Sequence, residues 1–118
     1  MALLLKPVLS SGQTPTITAK RASEYAGRKV MAHDSVYGGR VLNDSTVLYF
    51  LGANENRKPL TVIYCPNSKL GFNQPERHIK TLQRGKLYVT GFIIMINKNP
   101  FIVVKNDRDI AYDMPLPD

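Results

Sequence analysis

The chain has 118 residues, 43% of them hydrophobic, and a formal net charge of +7. That suffices for one domain with its own core, and the single cysteine, Cys65, excludes an internal disulfide framework and any multi-cysteine metal site. No stretch approaches the roughly 18 apolar residues of a membrane span, and Met1-Ala-Leu-Leu-Leu-Lys6 is too short an apolar run for a signal peptide. The compartment therefore stays open: cytoplasmic, or periplasmic if a leader has been removed.

Residues 1–16, with Pro7, Gly12 and Pro15, read as a flexible arm. Thr18 is a plausible N-cap for a short helix over Ala19 to Ala26, and Gly27 is its stop. A first strand follows from Lys29 to Val36, with Val30, Ala32 and Val36 on one face. Asp34 falls on that same face, an odd place for a carboxylate. Tyr37-Gly38-Gly39-Arg40 reads as a turn, as does Asn43-Asp44-Ser45. Thr46 to Leu51 and Leu60 to Cys65 are β-branched and aromatic, hence strands two and three, the latter ended by Pro66. Pro75 suits the first turn of a helix carrying Ile79 and Leu82 and closing at Arg84-Gly85. Strand four spans Lys86 to Ile96, with Gly91 as its bend and apolar residues on both faces, a pattern that implies cover on both sides. Asn97-Lys98-Asn99-Pro100 turns the chain into strand five, ending at Val104. The domain is expected over residues 17–110, with a flexible acidic tail at 111–118.

Helix, three strands, helix, two strands is the layout of an all-β, five-stranded OB-fold, a Greek-key barrel. Strands one and four echo each other: Lys29, Val30, Ala32, Asp34 and Val36 align with Lys86, Leu87, Val89, Gly91 and Ile93. Gly27-Arg28-Lys29-Val30 and its continuation, Gly85 to Ile93, and Pro100-Phe101-Ile102-Val103-Val104 followed by Asn106 to Ile110 resemble the blocks of a family of small bacterial OB-fold proteins, often exported. The resemblance covers residues 17 to 110. It departs from the family pattern at Asp34, which replaces a glycine, and at Arg28, an extra residue. It implies a barrel and specifies no activity.

The charge is uneven. All the lysines and arginines but Arg108 lie in residues 1–106, whereas Asp107, Asp109, Asp113 and Asp118 crowd the end. A basic body suits a polyanion. OB barrels bind single strands on the face of strands two and three and with adjoining loops, using stacked aromatics over a basic groove. Single-stranded nucleic acid is thus the expected partner, with Tyr37, Arg40, Tyr49, Lys58, Tyr64, Lys98 and Lys105 as candidate contacts. Tyr64 shares a face with Val62, so a core position with its hydroxyl bonded at the rim is the competing reading. The alternative function is a protein-interaction module of the bacterial envelope. Its marks would be an apolar patch near Tyr37 or Phe72, or a free edge at strand five.

No catalytic activity, metal or cofactor is expected. His33 and Asp34 are adjacent on a strand and point to opposite sides. His78 has no second ligand at helical spacing, and Cys65 reads as a small buried apolar residue. Asp34, Asp44 and Arg40 are close enough in sequence for a nuclease site, but no motif supports one.

Overall fold

A computed structural model describes residues 14–43, 45–53, 59–66, 79 and 85–113. The fold is mostly β. The first strand, β1 (Thr16–Thr18), runs parallel to the start of β2 (Lys29–Asn43), with Thr16 opposite Met31 and Thr18 opposite His33. The domain therefore takes in Thr16, and Ile17 is buried in the core. Between these strands the expected helix is a 3-10 helix, Ala19–Tyr25. Ala19 and Ala22, three apart, are its buried residues, the spacing that a three-residue turn places on one face. Thr18 makes no side-chain capping bond. Asp34 does so from β2: its Oδ2 accepts the Ala19 N–H at 3.0 Å, and its Oδ1 accepts the Ser35 N–H at 2.8 Å. That accounts for a carboxylate on the core side of the strand. Gly27 ends the segment at φ 79°.

The main departure from expectation lies in β2. Tyr37-Gly38-Gly39-Arg40 is not a turn; it continues the strand to Asn43. Residues Lys29 to Ser35 pair antiparallel with β5 (Lys86–Phe92), and Val36 to Asn43 pair antiparallel with β3 (Thr46–Leu51). The register shifts between Val36 and Gly38, where one long strand passes from one neighbour to the other. Gly39 serves close approach and not positive φ. A Cβ there would stand 2.5 Å from the Leu48 carbonyl oxygen and 3.1 Å from Ile79 Cγ2. Ile79 is helical and buried, as expected; the rest of the helix predicted from Pro75, including His78 and Leu82, lies outside the described residues, as do Lys58 and Phe72.

β3 pairs antiparallel with β4 (Leu60–Tyr64), and β4 pairs parallel with β7 (Asn99–Val104). β7 in turn pairs antiparallel with the short β6 (Ile94–Ile96) across a two-residue turn. Asn97 and Lys98 in that turn have φ of 50° and 70°, the left-handed pair that a tight hairpin requires. The strand order is β6-β7-β4-β3-β2-β5-β8. Its parallel pairing of the third and fifth expected strands is OB-like. The expected single fourth strand is present as β5 and β6, interrupted at Ile93 and not at Gly91. The Ile93 N–H donates to Arg28 at 3.0 Å, and its carbonyl accepts from Gly27 at 2.8 Å. Gly91 instead makes room for its neighbour, since a Cβ there would sit 2.8 Å from Ile102 Cγ2.

The core gathers Val30, Ala32, Val36, Val47, Leu51, Leu60, Val62, Leu87, Val89, Ile93, Ile102 and Val104. Of the expected tail at 111–118, residues 111–113 are strand and the others lie outside the described residues. A 3-10 turn (Asp107–Asp109) leads into β8 (Ile110–Asp113), which pairs antiparallel with β5 as far as Lys86 opposite Asp113. Among the described residues no helix is long and apolar enough to cross a membrane.

Candidate functional site

Two of the tyrosines expected to meet a ligand are structural. Tyr49 is fully buried, and its hydroxyl lies 3.2 Å from that of Tyr112 on β8. Burial, then Tyr112, pushes the Tyr49 phenol well above the ordinary tyrosine range. Tyr64 is 7% exposed and donates its hydroxyl to Asp107 Oδ1, so the rim position is the one it occupies. Burial first, and the Asp107 carboxylate second, raise its pKa too. Neither ring offers a face for stacking. The expected face of strands two and three is shut at its centre as well. Phe50 and Thr61, opposite each other in register and turned away from Tyr49 and Val62, are both buried.

Tyr37 is exposed beside the register shift of β2. Arg40 is exposed and faces outward in a cross-strand row with Leu48, Ile63 and Val103. Lys98 sits exposed on the β6–β7 turn. Tyr37 and Arg40 thus lie on β2 and Lys98 on a separate turn. Among the described residues, Lys105 is the expected contact that lines the groove described next.

That groove lies along the seam between β5 and β7, which hydrogen-bond to different neighbours. It has a volume of about 670 Å³. Lys29, Thr90, Gly91, Phe92 and Ile94 line it from β2, β5 and β6, and Val103, Lys105, Asn106, Arg108 and Asp109 line it from β7 and the segment that follows. Phe92 is 59% exposed, and Lys29 stands directly opposite it across the β2–β5 ladder. Strand four therefore carries apolar residues outward without cover: Phe92, Ile94 and Ile96 are all exposed. Three cations face one carboxylate along the groove, so its field favours an anion. An exposed phenyl ring beside lysine and arginine can hold a planar base while the cations meet phosphate oxygens.

Phe92, Lys29 and Arg108 were not singled out from the sequence. The signal is the outward face of strand four, which reads Tyr88, Thr90, Phe92, Ile94, Ile96 and predicts a covering element or an open apolar surface.

Other polar groups are accounted for locally. Both Asp34 oxygens accept backbone N–H groups, and Cys65 is half-buried as a free thiol. Among the described residues no three histidine, cysteine, aspartate or glutamate side chains gather to hold a metal ion.

No protein-family model matches the chain, and no curated protein matches it. Solved structures do. An aspartyl-tRNA synthetase from Entamoeba histolytica superposes with a TM-score of 0.54 at 16% identity, over 96% of this chain and 24% of that one. A protein assigned as an aspartyl-tRNA synthetase from Leishmania major Friedlin does so with a TM-score of 0.52 at 12% identity, over 98% and 24%. The chain thus spans about a quarter of the length of either structure. At such identities the likeness is one of fold.

Proposed function

We propose that this chain is a non-catalytic OB-type module that binds single-stranded nucleic acid in the β5–β7 groove, with Phe92 as the stacking surface and Lys29, Lys105 and Arg108 as phosphate contacts. The observation that carries the reading is an exposed aromatic ring set among cations on an open groove of an OB-like sheet. β5 and β6, read as one strand joined through Ile93, give the sheet the strand complement of a five-stranded OB barrel, with the groove between its fourth and fifth strands and not on the face of strands two and three. The structures of like fold lend support, because both are described as enzymes that handle a tRNA. The resemblance of residues 17–110 to small, often exported bacterial OB-fold proteins leans instead toward the protein-interaction alternative. A protein-interaction role draws on one observation of its own, the exposed strip Ile94, Met95 and Ile96 on β6. The net excess of cations along the groove favours the nucleic acid.

The test is fluorescence anisotropy of labelled oligodeoxythymidylate at low and moderate salt. Stacking of a base on an aromatic is worth about 1–3 kcal/mol, so Phe92→Ala weakens binding by roughly 5- to 150-fold. This exposed side chain is removed without opening the core. Absence of binding at low salt, or equal affinity of the wild type and Phe92→Ala, refutes the proposal.

A further inference from the structure

Beyond the groove, the face that carries Phe92 and Thr90 continues along β2 and β5. The β2–β5 register sets Lys29 opposite Phe92, Met31 opposite Thr90 and His33 opposite Tyr88. Alternation then puts all six on the outer face, since Val30, Ala32, Leu87 and Val89 between them are buried. Met31 is exposed, and His33 and Tyr88 are half-buried. The His33 and Tyr88 rings are stacked, 5.6 Å between centroids and 19° from parallel. On the far side of Tyr88 the register places Ala111 of β8. Ala111 is exposed, and β8 ends the strand order. A single methyl group therefore stands beside the outer face of the Tyr88 ring, where any larger residue would cover it.

We infer that Tyr88, braced by His33 and left open over Ala111, is a second stacking position on the same single-stranded nucleic acid, so that the strand leaves the groove at Phe92 and runs along the outer face of β2 and β5. The inference rests on the groove reading given above. Tyr88 and Phe92 lie four residues apart on one strand, about 13 Å, far enough for two separate bases. Lys29 and Lys86, both exposed, flank the track at its two ends. Lys86 is opposite Asp113 in register, so Lys29, shared with the groove, is the stronger attraction for the phosphates. His33 holds the Tyr88 ring in place before a base arrives, which lowers the entropy cost of binding. A cross-strand aromatic pair also supports a sheet directly, and the test must separate that role from a ligand contact.

The separating variant is Ala111→Leu, which fills the open side of Tyr88 and keeps the His33–Tyr88 pair. Anisotropy titrations compare oligodeoxythymidylates of about 4 and about 16 nucleotides on the wild type, Ala111→Leu, Tyr88→Ala and Phe92→Ala, with thermal unfolding followed in parallel. The expected result is that the wild type binds the longer oligomer more tightly. Ala111→Leu and Tyr88→Ala lose about tenfold of that advantage, and Ala111→Leu keeps the wild-type melting temperature. Phe92→Ala weakens both lengths. If Ala111→Leu and Tyr88→Ala retain the wild-type length dependence while Phe92→Ala weakens binding, the second position is refuted and the groove stands. If the wild type binds neither length, the groove reading falls, and this one with it.

Discussion

Asp34 offers the sharpest test of how the chain is held together. Its two carboxylate oxygens accept backbone N–H groups from Ala19 and Ser35. Ala19 is fully buried, so its N–H has no water to turn to when the carboxylate is removed. A hydrogen bond to a charged group contributes about 1.5–3 kcal/mol, and an orphaned buried donor costs about 1–3 kcal/mol. Asp34→Ala should therefore destabilise by about 2–3 kcal/mol, most of it from the Ala19 bond, because the Ser35 bond is local. Asp34→Asn keeps one carbonyl acceptor and should cost about 1 kcal/mol. Asp34→Gly restores the glycine of the resembling family, yet it should be the least stable of the three. It loses both bonds and adds about 0.5–1 kcal/mol of backbone entropy within a strand. Urea titration followed by far-UV circular dichroism measures all three, with the midpoint moving and the slope constant. An Asp34→Ala variant within about 0.5 kcal/mol of the wild type, or an Asp34→Gly variant more stable than Asp34→Ala, would refute the capping argument.

Gly39→Ala should destabilise by about 1–3 kcal/mol, because the new methyl meets the Leu48 carbonyl in the β2–β3 ladder. Gly91→Ala should cost less, since its methyl would stand 2.8 Å from Ile102 Cγ2, against 2.5 Å from a ladder carbonyl at Gly39; a thermal melt that reverses this order refutes the close-approach account. The buried Tyr49 phenol is held above its ordinary value near 10. The unfolded chain releases that proton first, so the stability that its protonated form contributes is complete below about pH 10 and is lost as the pH rises, by about 1.4 kcal/mol per unit. Urea midpoints between pH 9 and 11 should show that decline, and Tyr49→Phe should lessen it. If Lys29, Lys105 and Arg108 meet phosphates, the logarithm of the binding constant should fall with that of the salt concentration with a slope near −2. Replacing any one by alanine should flatten it by about 0.7.

Strands with a two-residue apolar period bounded by turn residues were legible in the sequence. Thr46–Leu51, Leu60–Tyr64 and Asn99–Val104 fall where β-branched and aromatic residues predict them. The Asn97-Lys98 turn was legible for a local reason, since asparagine tolerates positive φ. The second half of β2 was not. Two adjacent glycines carry the same letters whether they supply a turn or leave room for a neighbouring carbonyl, and only the tertiary partner, Leu48, decides. Likewise Tyr49 and Phe92 are both aromatics on strands. Which of them meets solvent depends on what covers each face, and that is set by β8, whose few residues look like tail.

The residues after β7 bind the site to the core. Tyr64 holds Asp107, Ile110 is buried, and Tyr112 meets Tyr49 inside the sheet. Between these anchors Arg108 and Asp109 are carried to the groove that Phe92 also lines. Further along, Ala111 lies beside Tyr88 on the outer face. Alternation explains the division: Ile110 and Tyr112 turn inward to the core, and Ala111 between them turns outward. One short segment therefore fixes the groove by what it buries and leaves the aromatic track open by what it exposes. In the proposed site Tyr49, Tyr64 and Tyr112 would act on a ligand only by anchoring the segment that carries Arg108.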